Sequence, residues 1–163
     1  YQQYKPSQQF IMMGHSAGAY NAAMLALDPR WLAAVDLLPA QLAGWVGLAG
    51  PYDFLPIGVP EAQVAFGWPN TPADSQPLFH AQRLQPERAA PALLLAARED
   101  LLVDPRRNSE ALAQALEQRG VPVQLELFGR VSHTTLIGAF APPLRGLAPV
   151  LDRVSAFVQQ PRA

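Results

Sequence analysis

The stretch FIMMGHSAGAYNAAMLAL, residues 10–27, changes its periodicity in the middle. A dense apolar run bounded by turn residues reads as a short buried strand over residues 9–13. From Ala17 to Leu27 the small residues are spaced as in a helix. Between the two, Gly-His-Ser-Ala-Gly leaves room only for a sharp strand-to-helix turn. A buried strand that feeds at once into a helix constrains the chain to a βα unit, in which the helix packs back on the sheet its strand belongs to.

The rest of the chain repeats that alternation. Asp28-Pro29 ends the first helix, because a residue before proline avoids helical geometry. Residues 45–49 (WVGLA) form a second strand closed by Gly50-Pro51, and residues 92–97 (ALLLAA) a third. Asp104 reads as an N-cap, with proline at the first helical position. The helix it opens turns Leu112 and Leu116 to one side and stops at Gly120. Residues 123–128 (VQLELF) alternate with period two as a fourth strand. A last helix spans about residues 149–158, with Val150, Leu151, Val154, Phe157 and Val158 as its inner stripe. The fold class is therefore α/β, about four parallel strands flanked by helices, in one domain over residues 1–163. Residues 51–91 hold eight prolines and several aromatics. They read as an ordered excursion with short helical turns that lines a pocket, being too apolar for a solvated linker.

Composition removes several function classes. Half of the 163 residues are hydrophobic and 15% are charged, as in a compact core that could bury about 70% of its unfolded surface. The formal net charge of −1, without a basic run, argues against nucleic acid as a partner. With no cysteine, disulfides, thiol catalysis and zinc-thiolate sites are excluded. No apolar run reaches the ~18 residues of a membrane span. No signal-peptide pattern is visible from Tyr1 onward, which favours the cytoplasm without deciding the location.

A serine on a strand-to-helix turn has its hydroxyl lifted clear of the backbone, at the carboxyl end of a sheet where ligands of open α/β folds bind. It also faces the positive end of a helix, which favours a developing oxyanion. These are the features of a nucleophile elbow, Gly-x-Ser-x-Gly, with Gly14 and Gly18 keeping side chains from colliding across the turn. The plainer alternative is that Ser16 only caps its helix. A serine nucleophile needs a base and a group to orient that base. Of three histidines, His15 should leave the turn in another direction and serve packing or a pocket wall, and His80 reads as a structural hydrogen bonder. His133 follows the fourth strand at the same end of the sheet as Ser16 and is the candidate base. For the acid, the chain order Ser, Asp/Glu, His admits Asp100, just past the third strand, with Asp53 as fallback and Glu99 as a weaker neighbour. Asp104 is already explained as a cap.

With these pieces assembled, the chain resembles the α/β-hydrolase superfamily, in its carboxylesterase, arylformamidase and feruloyl-esterase-like branch. The resemblance is carried in order by MMGHSAGAYNAAMLALD, GWVGLAGPYDFLPI, PALLLAAREDLLVDPRRNSEALAQALEQRG and VQLELFGRVSHTTLIG. It implies Ser16 as nucleophile, Asp100 as acid, His133 as base and the Ala17 N–H as one oxyanion donor. It implies no metal and no organic cofactor, with a small ester or formamide as substrate. One departure is AARED, where relatives usually carry His-Gly before the acid. The family's domain also has strands before the elbow, including a His-Gly-Gly loop that supplies further oxyanion donors. The expectation is thus the C-terminal half to two-thirds of a hydrolase. Its first strand, normally central, would be an apolar edge open to self-association. The competing readings are hydrolysis of small carboxylic esters, hydrolysis of aryl formamides, and a non-catalytic remnant or interaction domain. A peptidase or thioesterase on the same fold stays open.

Overall fold

The computed structural model of the chain describes residues 9–38 and 41–160. Four strands, β1 (Phe10–His15), β2 (Leu42–Leu48), β3 (Ala92–Ala97) and β4 (Val123–Phe128), form one parallel sheet in the order β1-β2-β3-β4. Parallel neighbours cannot be joined by a tight hairpin, so the chain must return along the sheet between strands. Helices α1 (Ala17–Leu27) and α2 (Pro29–Ala33) make the first return. The second is the proline-rich excursion, ordered as expected into α3 (Pro60–Ala65), α4 (Pro77–Ala81) and short 3-10 turns. α5 (Ala111–Gln118) makes the third, and α6 (His133–Gly138) and α7 (Val150–Gln159) follow β4.

The pleat sends alternate side chains to two cores. Ala92 and Leu94 join Trp45, Ala19, Ala23, Leu112 and Leu116 on the face covered by α1 and α5. Leu93, Leu95 and Ala97 join Val46, Leu48, Leu136, Val150, Val154 and Phe157 on the face covered by α6 and α7. Covered on both sides, β2 and β3 read as near-continuous apolar runs rather than alternating ones. Each fully buried leucine here contributes about 1.5–3 kcal/mol relative to exposure. Tyr52 lies wholly inside, its ring against the backbone of Gly47 and Gly50, where a Cβ on either glycine would overlap it. The GLAGPYDF segment is thus a slot and the ring that fills it.

Some boundaries differ from the sequence reading. β1 runs two residues beyond 13, because Gly14 and His15 pair in register with Gly47 and Leu48 of β2. The ladder overrides the poor strand preference of glycine there. β2 starts at Leu42 and stops at Leu48, since Ala49 has a left-handed φ of 49° and leaves strand geometry. Asp104 caps as anticipated, its Oδ1 accepting the Arg106 N–H at 2.9 Å. The chain then passes through a π-helical turn, Arg106–Glu110, before α5. On α7 the stripe narrows to Val150, Val154 and Phe157, with Leu151 half-buried and Val158 turned toward solvent.

Candidate active site

In a parallel sheet all strands end at the same rim, so Ser16 after β1, Asp100 after β3 and His133 after β4 leave the sheet together. Ser16 has φ 54° and ψ −121°, a backbone conformation costly for any residue but glycine. The surroundings hold it there: its N–H donates to the Leu48 carbonyl at 2.9 Å, and its own carbonyl accepts from Ala19 and Tyr20 as α1 begins. At the N-cap of α1 the hydroxyl makes no capping bond. It lies instead 2.9 Å from His133 Nε2.

His133 Nδ1 lies 2.7 Å from Asp100 Oδ2. A carboxylate can only accept, so Nδ1 carries the proton and Nε2 presents its lone pair to the Ser16 hydroxyl. The other carboxylate oxygen, Oδ1, accepts the N–H groups of Leu102 and Val103 at 2.9 and 3.0 Å. Both oxygens are thus satisfied and the side chain is completely shielded from solvent. The same turn pushes Leu101 and Leu102 outward, leaving two exposed leucines beside the acid. Asp53 is not brought to His133; it pairs with Arg107 at 3.1 Å. Glu99 points to solvent.

His133 opens a helix rather than sitting in a free loop. Ser132 caps α6, accepting the Thr135 N–H, while the Thr135 hydroxyl accepts the Ser132 N–H at 2.7 Å. Threonine in place of the usual Glu or Gln hid this capping box from the sequence reading. His80 bonds locally as expected, its Nε2 lying 2.7 Å from the Asp74 carbonyl oxygen.

The elbow glycines have unequal duties. A Cβ on Gly14 would collide with the Gly18 carbonyl, whereas a Cβ on Gly18 would meet nothing within 4 Å. The steric argument made for both therefore holds only for Gly14. His15 packs, one of the two roles expected of it: its ring tilts 50° against the His133 ring, with centroids 4.8 Å apart.

Three other residues escaped the sequence reading. Tyr20, one helical turn beyond Ser16, packs edge-on against Phe54 and Phe66 and donates its hydroxyl to the Ser75 carbonyl at 3.0 Å. Burial raises the pKa of its phenol, keeping it a neutral donor. The i, i+4 spacing from Ser16 was the available signal. Buried Asn108 accepts the N–H groups of Tyr52 and Asp53 at 2.6 and 2.9 Å and donates to the Asp104 carbonyl at 2.9 Å. It ties the loop after β2 to the segment following Asp100, and nothing in its sequence setting marks it. Asp28, buried after α1, holds Arg30 and faces His80 at 3.8 Å. Among the described residues no group of three or more His, Cys, Asp or Glu is placed to hold a metal ion. No helix among them is long and apolar enough to cross a membrane.

No family model and no curated protein matches the chain. Solved structures do. An esterase from Thermogutta terrifontis superposes with a TM-score of 0.66 at 16% identity, covering 91% of this chain and 53% of its own. Acylaminoacyl peptidase from Pyrococcus horikoshii gives 0.59 at 19% identity, covering 85% of this chain and 22% of that one. A Lactococcus lactis sugar hydrolase gives 0.58 at 17%, covering 91% and 55%. The chain therefore spans between about a fifth and about half of the length of these structures. What it shares with them is the α/β-hydrolase fold, in part: four parallel strands flanked by helices.

Proposed function

We propose that the chain carries the reactive centre of a serine hydrolase acting on small carboxylic esters. One observation carries the reading: an unbroken hydrogen-bonded line from Ser16 Oγ through His133 to Asp100, with links of 2.9 and 2.7 Å. A serine hydroxyl alone is a poor nucleophile at neutral pH. Here an imidazole in the proton-accepting tautomer sits within transfer distance, and a fully buried carboxylate fixes that tautomer.

In the proposed cycle, Ser16 Oγ bonds to the acyl carbon while its proton moves to His133 Nε2. Asp100 stabilises the imidazolium that forms and keeps its own charge. The oxyanion is held by the Ala17 N–H, which lies in the first turn of α1 where no intrahelical carbonyl can reach it. His133 then gives the proton to the departing alkoxide as the ester C–O bond breaks, leaving an acyl-serine. Water attacks that acyl carbon and passes a proton to His133, which returns it to Ser16 Oγ as the acyl C–Oγ bond breaks and the acid leaves. Every proton is returned, and the cycle calls on no metal or organic cofactor.

Tyr20, one helical turn from the nucleophile, packs with Phe54 and Phe66, and this trio supports an acyl or aryl binding wall. Tyr52, by contrast, is spent inside the core. The peptidases among the structural neighbours keep amide substrates as the second reading.

The test is fluorophosphonate labelling of Ser16 followed by turnover of short p-nitrophenyl esters beside N-formyl-kynurenine. Labelling that disappears in Ser16→Ala, with ester turnover exceeding formamide turnover, is the expected result. A folded chain left unlabelled by the phosphonate would remove the hydrolase reading. Faster formamide turnover would move the substrate to the arylformamidase class.

A further inference from the structure

His15 ends β1 and shares a peptide bond with Ser16. Its Nε2 lies 2.9 Å from the backbone carbonyl oxygen of His133, 118 residues away. A carbonyl oxygen has no proton to give, so His15 Nε2 is the donor in this bond. The ring thus spans from the nucleophile's own strand to the main chain of the residue proposed as base.

The consequence is geometric. The His133 side chain is held at Nδ1 by Asp100, from the loop after β3. That bond fixes the rotation of the ring, while a shift of the segment that bears it, residues 129–132 and the start of α6, is opposed by Val131 and Leu136 packed in the second core. The His15 bond restrains that shift, and it does so from the neighbour of Ser16. A movement that draws β1 away from α6 stretches this bond along with the one between Oγ and Nε2. Proton transfer tolerates little such opening, since a misplacement of about 1 Å can cost about a hundredfold in rate.

We propose that His15 is a positioning residue. By hydrogen-bonding the His133 backbone it sets the Ser16–His133 distance, and it acts through His133 rather than on substrate. The inference rests on the hydrolase reading above and deepens it. The donor, not the ring, performs the task, which separates positioning from mere packing of two imidazoles.

Two substitutions in the full chain divide these roles. His15→Phe keeps the ring and removes the donor. His15→Gln removes the ring, while its amide nitrogen reaches about as far as Nε2. The readouts are the maximal rate and the half-saturation concentration of fluorophosphonate labelling, thermal unfolding, and the imidazole nitrogen-15 spectrum of His133. His15→Phe is expected to lower the maximal labelling rate by about tenfold to a hundredfold with half-saturation unchanged. In the same variant the Nδ1–H tautomer, which Asp100 fixes, is expected to persist, while the His133 Nε2 resonance moves as its hydrogen bond with Ser16 lengthens. His15→Gln is expected to restore both.

Full activity in His15→Phe, equal loss in both variants, or failure of both to fold would each overturn the proposal in favour of a packing role. Absence of labelling in the wild type would instead count against the hydrolase reading. The positioning proposal would then be decided by the His133 Nε2 nitrogen-15 shift in the two variants, which reads the Ser16–His133 hydrogen bond and needs no turnover.

Discussion

At the scale of single residues, the candidate site depends on which atom of each group is already committed. Asp100 has no acceptor capacity directed at solvent: one oxygen takes two backbone N–H groups and the other takes His133. Replacing it with asparagine keeps the shape but offers Nδ1 an amide that can donate. The imidazole can then hold its proton on Nε2, where it cannot accept from Ser16. We expect Asp100→Asn to fold normally and to lose about ten-thousandfold in kcat on esters. The equivalent change in the fallback acid, Asp53→Asn, should leave most of the activity, because Asp53 faces Arg107 and not His133. Equal losses from the two would show that the acid has been misassigned. The glycines give a second residue-scale contrast. Gly14→Ala forces a side chain into the Gly18 carbonyl, so little folded protein should be recovered. Gly18→Ala enters open space and should fold and label as the wild type does, checked by circular dichroism and phosphonate labelling.

Among the elements, what could be read in advance divides along the reach of the forces involved. α1, β3 and β4 were legible to the residue because each depends on local period and on nearby stop signals: Asp28-Pro29 after α1, and the unbroken apolar run of β3. The end of β1 was not legible, because Gly14 and His15 become strand only through their partners in β2. The π-helical turn at Arg106–Glu110 was hidden for a related reason. It turns Asn108 inward to a loop more than fifty residues earlier in the chain. Ser16, Asp100 and His133 could be named from a chain-order template, whereas the bond from His15 to a backbone oxygen leaves no mark in residue type. The junction of α1 and α2 yields a pH prediction. Burial works against the Asp28 carboxylate, but hydrogen bonds from the Arg30 side chain and N–H, with the charges of His80 and Arg30, outweigh it and lower its pKa. A carboxyl group whose pKa is depressed in the folded state adds stability above its unfolded value, near 3.9, and loses it as pH falls through the folded value. Asparagine still caps a helix, so Asp28→Asn removes the charge while keeping the cap. Urea unfolding should show the variant weaker than wild type at pH 7, with the gap narrowing as pH falls below about 3.9. A gap independent of pH would place the effect in packing.

Over the whole molecule, the sheet is protected unevenly. β2 and β3 are paired on both sides and covered on both faces, and the helices that cover them carry the two cores. Among the described residues β1 and β4 stand at the two edges of the four-stranded sheet, and on β1 Met13 is half-exposed at 51%. Near it in sequence, Trp31, Val35 and Leu38 also face outward. The strand that presents the proposed nucleophile therefore has β2 as its one neighbour in the sheet among the described residues. An apolar edge strand is a template for another chain, and natural edges are commonly blunted by lysine. The 163-residue chain is accordingly expected to self-associate through β1, with sedimentation velocity showing larger species as concentration rises. Met13→Lys places a charge on that edge without touching Ser16, His133 or Asp100. It should shift the distribution toward monomer, while phosphonate labelling per chain stays the same or increases as the rim of the sheet is uncovered. A wild-type chain that stays monomeric throughout a dilution series would show that the β1 edge is already satisfied. A lysine variant that associates as strongly as wild type would move the contact to another surface.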